Sequence, residues 1–169
     1  MNGKMIEIET GDGATMGAYL ALPEFGSGAG LVLLQEIFGV NQSLCETADL
    51  FAEEGYVTIV PDLFWRIEPG VDLGYSEAEF GQAIELMGKF DLDQGIEDIG
   101  TTLRALRAMD ACTGKAGCIG FCLGGKLAYL TAARLDVEVR GWGGEIEIQG
   151  HGLSVVANTI EKAPHVADE

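Results

Sequence analysis

A cysteine flanked by glycines is the residue of this sequence best suited to do chemistry. Cys122 lies in the sequence GFCLGG at residues 120–125, which follows an apolar run and precedes a segment with helical spacing. Glycines two positions before and after a nucleophile let a strand and a helix pass closely, so that the nucleophile projects from a sharp, strained turn. The pattern indicates a nucleophile elbow that carries a thiol, and a tight turn with a small buried side chain is the structural alternative.

The residue after the cysteine would stabilise negative charge. At a helix N-terminus, the backbone N–H of Leu123 points toward the place where charge develops on an attacked carbonyl. A thiol attacks only after it ionises, so a group that removes the proton from Cys122 is also required.

A second polar segment follows a buried strand near the N-terminus. Residues 31–34 are all apolar, and the sequence QEIFG at 35–39 follows them directly. Ligands of open α/β sheets bind at the carboxyl ends of the strands. The carboxylate of Glu36 is therefore expected at the same sheet edge as Cys122, unless it is a solvated turn residue.

Strand and helix patterns alternate along the chain. The segments predicted as strands are 5–9, 16–21, 31–34, 56–60 and 116–120, and those predicted as helices are 43–54, 76–87, 93–109 and 123–133. Such alternation favours an α/β fold with a mostly parallel sheet flanked by helices. A chain of 169 residues, 47% hydrophobic, forms a single domain, 1–169, with one sizeable core.

Composition excludes several classes of function. The chain has 10 basic and 27 acidic residues and a net charge of -17, which disfavours nucleic-acid binding because phosphate neutralisation needs clustered Lys and Arg. It has no apolar window long enough for a membrane span, so we expect a cytoplasmic protein without a membrane partner. The four cysteines show no metal-ligand spacing, and neither a metal nor a cofactor is predicted.

Over about residues 5 to 139 the sequence resembles the dienelactone hydrolase family of the α/β-hydrolase superfamily. The motifs that carry this resemblance are QEIFG at 35–39, residues 52–62 with EEGYV, VPDL at 60–63, Phe90-Asp91, and the elbow through Ala133. The resemblance implies an α/β-hydrolase fold and a hydrolase that cleaves ester or lactone bonds of small molecules through a cysteine nucleophile.

The resemblance also implies roles for individual residues. Glu36 would interact with Cys122 and activate it, and the backbone N–H of Ile37 would join that of Leu123 in an oxyanion hole. The substrate-pocket positions that match the family are Phe38, Phe80, Ile84 and Met87.

In family members that cleave dienelactones, an arginine of this region binds the substrate carboxylate. The matching positions of this chain are apolar, and Arg66 is the nearest cation in sequence. A neutral ester or lactone is therefore as reasonable a substrate as an anionic one.

The C-terminal part departs from the family pattern. A complete member has an aspartate and then a histidine after the nucleophile. The candidates here are His151, in a loop-like setting, His165, in a strand-like one, and Asp168, a weak substitute for the aspartate. We expect an incomplete domain that lacks the last strands and helices, with slow hydrolysis of the acylated cysteine.

Two other functions remain open from the sequence. One is a catalytically impaired or non-catalytic α/β-hydrolase-like protein that acts through a partner or forms a homo-oligomer, because an exposed sheet edge favours pairing. The other is a thioesterase on the same scaffold, which would differ only in the acyl donor.

Overall fold

The computed structural model describes residues 3–134 in full, together with the backbone of three further strands, 138–142, 145–150 and 153–158. The predictions for His151, His165 and Asp168 lie outside the described residues.

Eight described strands form one sheet. They are β1 (Lys4–Glu9), β2 (Thr15–Ala21), β3 (Gly28–Leu34), β4 (Val57–Pro61), β5 (Cys112–Phe121), β6 (Glu138–Trp142), β7 (Glu145–Gly150) and β8 (Leu153–Asn158). Their order across the sheet is β1-β2-β4-β3-β5-β8-β7-β6. The described helices are α1 (Gln42–Glu53), α2 (Glu77–Lys89), α3 (Leu92–Ala108) and α4 (Leu123–Arg134).

The predicted α/β class is confirmed, and the sheet is mixed. The central pairs β3–β4, β3–β5 and β5–β8 are parallel, whereas the pairs on either side of them are antiparallel. Only two residues separate β6 from β7, and two separate β7 from β8. Such short connections are compatible only with antiparallel neighbours, which is why this part of the sheet departs from the mostly parallel arrangement predicted.

Helices cover both faces of the sheet. On one face, α1 packs through Ala48 against Leu33 and Val60. On the other face, α3 and α4 cover residues such as Val32 and Ile59. Among the described residues, no helix is long and apolar enough to cross a membrane.

A long excursion, residues 62–91, separates β4 from α3 and carries α2. Asp62 fixes its first turns, because the buried carboxylate accepts hydrogen bonds from the backbone N–H groups of Phe64 (3.1 Å) and Gly70 (2.7 Å). Burial raises the pKa of Asp62, while these two hydrogen bonds act in the opposite direction. Midway along the excursion, the capping box of Ser76 and Glu79 starts α2.

Candidate active site

Cys122 is the single residue between β5 and α4. Its φ of 54° makes it the one non-glycine residue with positive φ in the described part of the chain. This left-handed conformation costs roughly 1–2 kcal/mol for a residue with a Cβ, and it leaves the thiol exposed at the tip of the turn. A tight turn with a buried small side chain, the alternative reading of the sequence, does not describe this exposed cysteine.

The two glycines around Cys122 are required by close backbone packing. A Cβ on Gly120 would lie 2.3 Å from the carbonyl carbon of Gly124. A Cβ on Gly124 would lie 2.5 Å from the backbone oxygen of Leu34. Strand and helix therefore pass each other, and the neighbouring strand β3, at distances that only glycine permits.

The end of β3 lies beside the elbow. Leu34 of β3 pairs with Gly120 of β5 in the parallel sheet. Glu36 comes two residues after Leu34, and Cys122 comes two residues after Gly120, so both follow the same edge of the sheet. Glu36 is half-buried, and the structure records no hydrogen bond between its carboxylate and Cys122 within residues 3–134. Next to it, Gln35 is fully buried and its Oε1 accepts a hydrogen bond from the N–H of Leu63 (2.8 Å), which joins the ends of β3 and β4.

The two residues predicted to form the oxyanion hole follow the ends of neighbouring strands. Ile37 lies three residues after Leu34 of β3, and Leu123 lies two residues after the end of β5 and begins α4. The side chains of both are buried. The role of their backbone N–H groups stays a prediction.

A small pocket of about 70 Å³ opens beside Glu36. Its wall includes Phe38, Asn41, Tyr75 and Phe121, the residue directly before the cysteine, whereas Cys122 itself does not line it. This volume exceeds the space that one water molecule needs and suits a small organic group.

The loops that carry these residues are tied together. Gly39 has a φ of 77°, and a Cβ there would lie 2.1 Å from the backbone oxygen of Val71. Asn41 caps α1 by accepting a hydrogen bond from the N–H of Leu44 (3.0 Å), and its Nδ2 donates to the backbone oxygen of Leu73 (3.0 Å). Asn41 thereby holds the start of α1 and the loop before Tyr75 in one position.

The comparison with known families agrees with this geometry. Residues 16–160 match the model of the dienelactone hydrolase family. The chain belongs to this family.

Relatives of known sequence and structure support the assignment. The carboxymethylenebutenolidase of Pseudomonas putida is 38% identical over 134 residues, which cover 79% of this chain and 57% of the relative. A crystal structure from Klebsiella pneumoniae that carries a dienelactone hydrolase name has a TM-score of 0.66 and 28% identity, over 78% of this chain and 54% of that one. The chain spans about half the length of the curated relatives it matches.

A more distant structure shares the fold alone. A dienelactone hydrolase-like promiscuous phosphotriesterase from metagenomic libraries has a TM-score of 0.59 at 22% identity, over 79% of this chain and 55% of that one.

The pocket residues predicted from the dienelactone hydrolase pattern occupy two different places. Phe38 lines the pocket, and Phe80 packs against it from α2, with ring centroids 6.3 Å apart. Ile84 and Met87 follow Phe80 at i+4 and i+7 on the same face of α2, they do not line the pocket, and their role stays a prediction. Sequence reasoning missed Asn41 as a wall residue, although its position before a helix marks it as an N-cap.

The structure does not leave Arg66 available to a substrate carboxylate of the kind that dienelactones carry. Its guanidinium donates to both carboxylate oxygens of the buried Asp98 (3.1 and 2.9 Å) and to Asp12 (2.8 Å). Trp65 donates to Asp98 as well (2.9 Å), and the guanidinium lies 4.1 Å from the centre of its ring. The sequence suggested Arg66 because it is near the pocket residues in the chain, but its carboxylate partners are distant in sequence.

The other three cysteines are less exposed than Cys122. Cys45 and Cys118 are buried, and Cys112 is half-buried. Burial raises the pKa of Cys45 to about 11 and that of Cys118 to about 12, so both thiols stay protonated near neutral pH. Among the described residues, no group of three or more His, Cys, Asp or Glu side chains could hold a metal ion.

Proposed function

We propose that this chain carries the nucleophile and oxyanion hole of a carboxylic ester hydrolase of the carboxymethylenebutenolidase type. The observation that supports this most directly is the left-handed backbone of Cys122, which the protein maintains at an exposed strand-to-helix turn between two glycines that cannot be replaced. Strain of this kind in a non-glycine residue persists where the surrounding structure enforces it and is concentrated at functional sites.

The chemical step is acyl transfer. With its proton passed to Glu36, the sulfur of Cys122 attacks the carbonyl carbon of an ester or lactone, and the backbone N–H groups of Ile37 and Leu123 stabilise the oxyanion. The C–O bond then breaks, the alkoxide leaves with the electron pair and takes up a proton, and the acyl group remains on sulfur as a thioester. Water cleaves the thioester in a second step that needs a general base. Both histidines of the sequence lie outside the described residues.

The experiment is hydrolysis of p-nitrophenyl acetate by the chain, followed by intact-mass measurement. We expect a burst of p-nitrophenol equal to the enzyme concentration and an acetyl group on Cys122. Cys122→Ala removes both signals, whereas Cys112→Ala, at the other end of the same strand, keeps them. No acyl-enzyme with any ester would contradict the proposal and favour the non-catalytic alternative.

Glu36 is tested by the rate of that burst. Glu36→Gln keeps the size of the side chain and removes its ability to accept a proton, so we expect the burst to slow by about 10²–10⁴-fold, the usual range for general base catalysis. Glu46→Gln, on the exposed side of α1, is the control and leaves the rate unchanged. An equal rate in both variants would remove Glu36 from the mechanism.

Steady turnover after the burst distinguishes the two steps. Continued release of p-nitrophenol would mean that the chain contains a base for thioester hydrolysis, with His151 and His165 as the residues to replace. A burst without turnover would mean that residues 1–169 do not supply that base.

A further inference from the structure

The pocket beside Glu36 has no basic side chain from the described residues in its wall. None of the Lys and Arg side chains in residues 3–134 lines it, and the charged side chain that does is Glu36. Arg66 faces Asp98 and Asp12. Lys126, one helical turn after Cys122, is exposed and, like Cys122, does not line the pocket.

Aromatic side chains line and flank the pocket. We name Phe38, Tyr75, Phe80 and Phe121 the aromatic wall. The edge of the Tyr75 ring meets Phe38 at a centroid distance of 4.8 Å, and Phe80 packs on the same ring at 6.3 Å. Tyr75, Phe80 and Phe121 are 63%, 51% and 41% exposed. A cluster of large apolar side chains left exposed beside a site is typical of a surface that binds an apolar group.

We infer that the site selects esters whose acyl part is uncharged and aromatic or otherwise apolar, and that it discriminates against acyl groups that carry a carboxylate. This inference rests on the proposed function and names its substrate class. The aromatic wall would stack on the apolar group while Glu36 repels an anion. The net charge of -17 adds repulsion at longer range.

The charge preference can be measured without turnover, by alkylation of Cys122. The neutral probe is N-(4-carbamoylphenyl)iodoacetamide and the anionic probe is its 4-carboxyphenyl counterpart, in which a carboxylate replaces a carboxamide of nearly the same shape. In each reaction the sulfur bonds to the methylene carbon, and iodide leaves with the electron pair. After division by the rates with a free thiol, we expect the neutral probe to react at least about tenfold faster with Cys122, the factor that a like charge at close range produces. Equal or faster reaction of the carboxylate probe would overturn the inference.

Variants test the wall itself. Tyr75→Ala and Phe80→Ala are expected to reduce the rate with the neutral probe by several-fold, and Phe80→Arg to reverse the preference. Leu50→Ala, an exposed apolar residue of α1, is the matched control and leaves the ratio unchanged. A ratio that moves instead with Lys126→Gln would contradict the inference, because it would place the charge recognition at the helix.

A matched pair of esters separates this inference from the proposed function. The pair is p-nitrophenyl phenylacetate and p-nitrophenyl (4-carboxyphenyl)acetate, compared by burst rate. If neither ester acylates Cys122, the proposed function fails, whereas the alkylation ratio still decides the charge preference. If both acylate it equally fast, the proposed function stands and the inference fails.

Discussion

The elbow and the aromatic wall lie side by side but are built in opposite ways. The elbow is held by backbone packing, with Gly124 so close to Leu34 that no side chain fits. The aromatic wall consists of side chains on loops, on α2 and at the end of β5, several of them largely exposed. Cys122 is thus positioned by the backbone, whereas the surface proposed to bind the substrate is set by side chains that we expect to change at little cost to stability.

The largest effect is expected from filling the space at the elbow. Gly124→Ala would bring a Cβ within 2.5 Å of the oxygen of Leu34 and within 2.8 Å of that of Gln35, so we expect a loss of more than about 3 kcal/mol in the free energy of unfolding. Gly81→Ala, on α2 with open space around it, should instead stabilise the chain by about 0.5–1 kcal/mol. Urea unfolding measures both, and equal effects would refute the contrast.

The connection between the excursion and helix α3 gives the next effect. Asp98→Ala removes the buried carboxylate that accepts from Trp65 and Arg66, and we expect a loss of about 2–4 kcal/mol. Asp93→Ala is the matched change in the same helix. Because Asp93 is 77% exposed and pairs with the exposed Arg134, its loss should be below about 1 kcal/mol. A small effect of Asp98→Ala would mean that the excursion is held by its apolar contacts alone.

Relief of the strain at the nucleophile is expected to be smaller. Cys122→Gly removes the Cβ that disfavours a φ of 54°, so this variant should unfold at a free energy about 1 kcal/mol higher than Cys122→Ala. Neither variant should form an acyl-enzyme. Equal stability of the two would show that the turn is not strained.

Truncation of the aromatic wall should have the smallest effect on the free energy of unfolding. Phe80→Ala truncates a half-exposed side chain, and we expect a change within about 1 kcal/mol, with the far-UV spectrum of the folded chain retained. Its effect would appear in the reaction with aromatic probes. A large loss of stability would mean that Phe80 belongs to the core.

Sequence patterns predicted the strands and helices whose signals lie within the element itself. Strands β1 to β4 and all four described helices lie within a few residues of their predicted bounds, because apolar periodicity and glycine turns mark them directly. Strand β5 starts at Cys112 rather than at the predicted Ala116. Gly114, with a φ of 88°, looks like a turn in sequence but lies in a stretch where the pairing with β3 is irregular.

Long-range contacts explain what the sequence did not predict. The elbow at Cys122 could be predicted because its glycines are adjacent in sequence. The engagement of Arg66 with Asp98 could not, because the partners are 32 positions apart. Likewise, helical spacing puts Phe80 and Ile84 on the same face of α2, and only the fold shows that Phe80 meets Phe38 while Ile84 does not line the pocket.

The excursion is held at several points along its length. Asp62 fixes its first turns through Phe64 and Gly70, and Asp98 anchors Arg66. Further along, Leu73 is hydrogen-bonded to the backbone of Phe38 and to Nδ2 of Asn41. The part that follows these contacts, residues 76–90, carries α2 with Phe80, so we expect its exchange between relatives to alter acyl preference while the turn at Cys122 keeps its backbone.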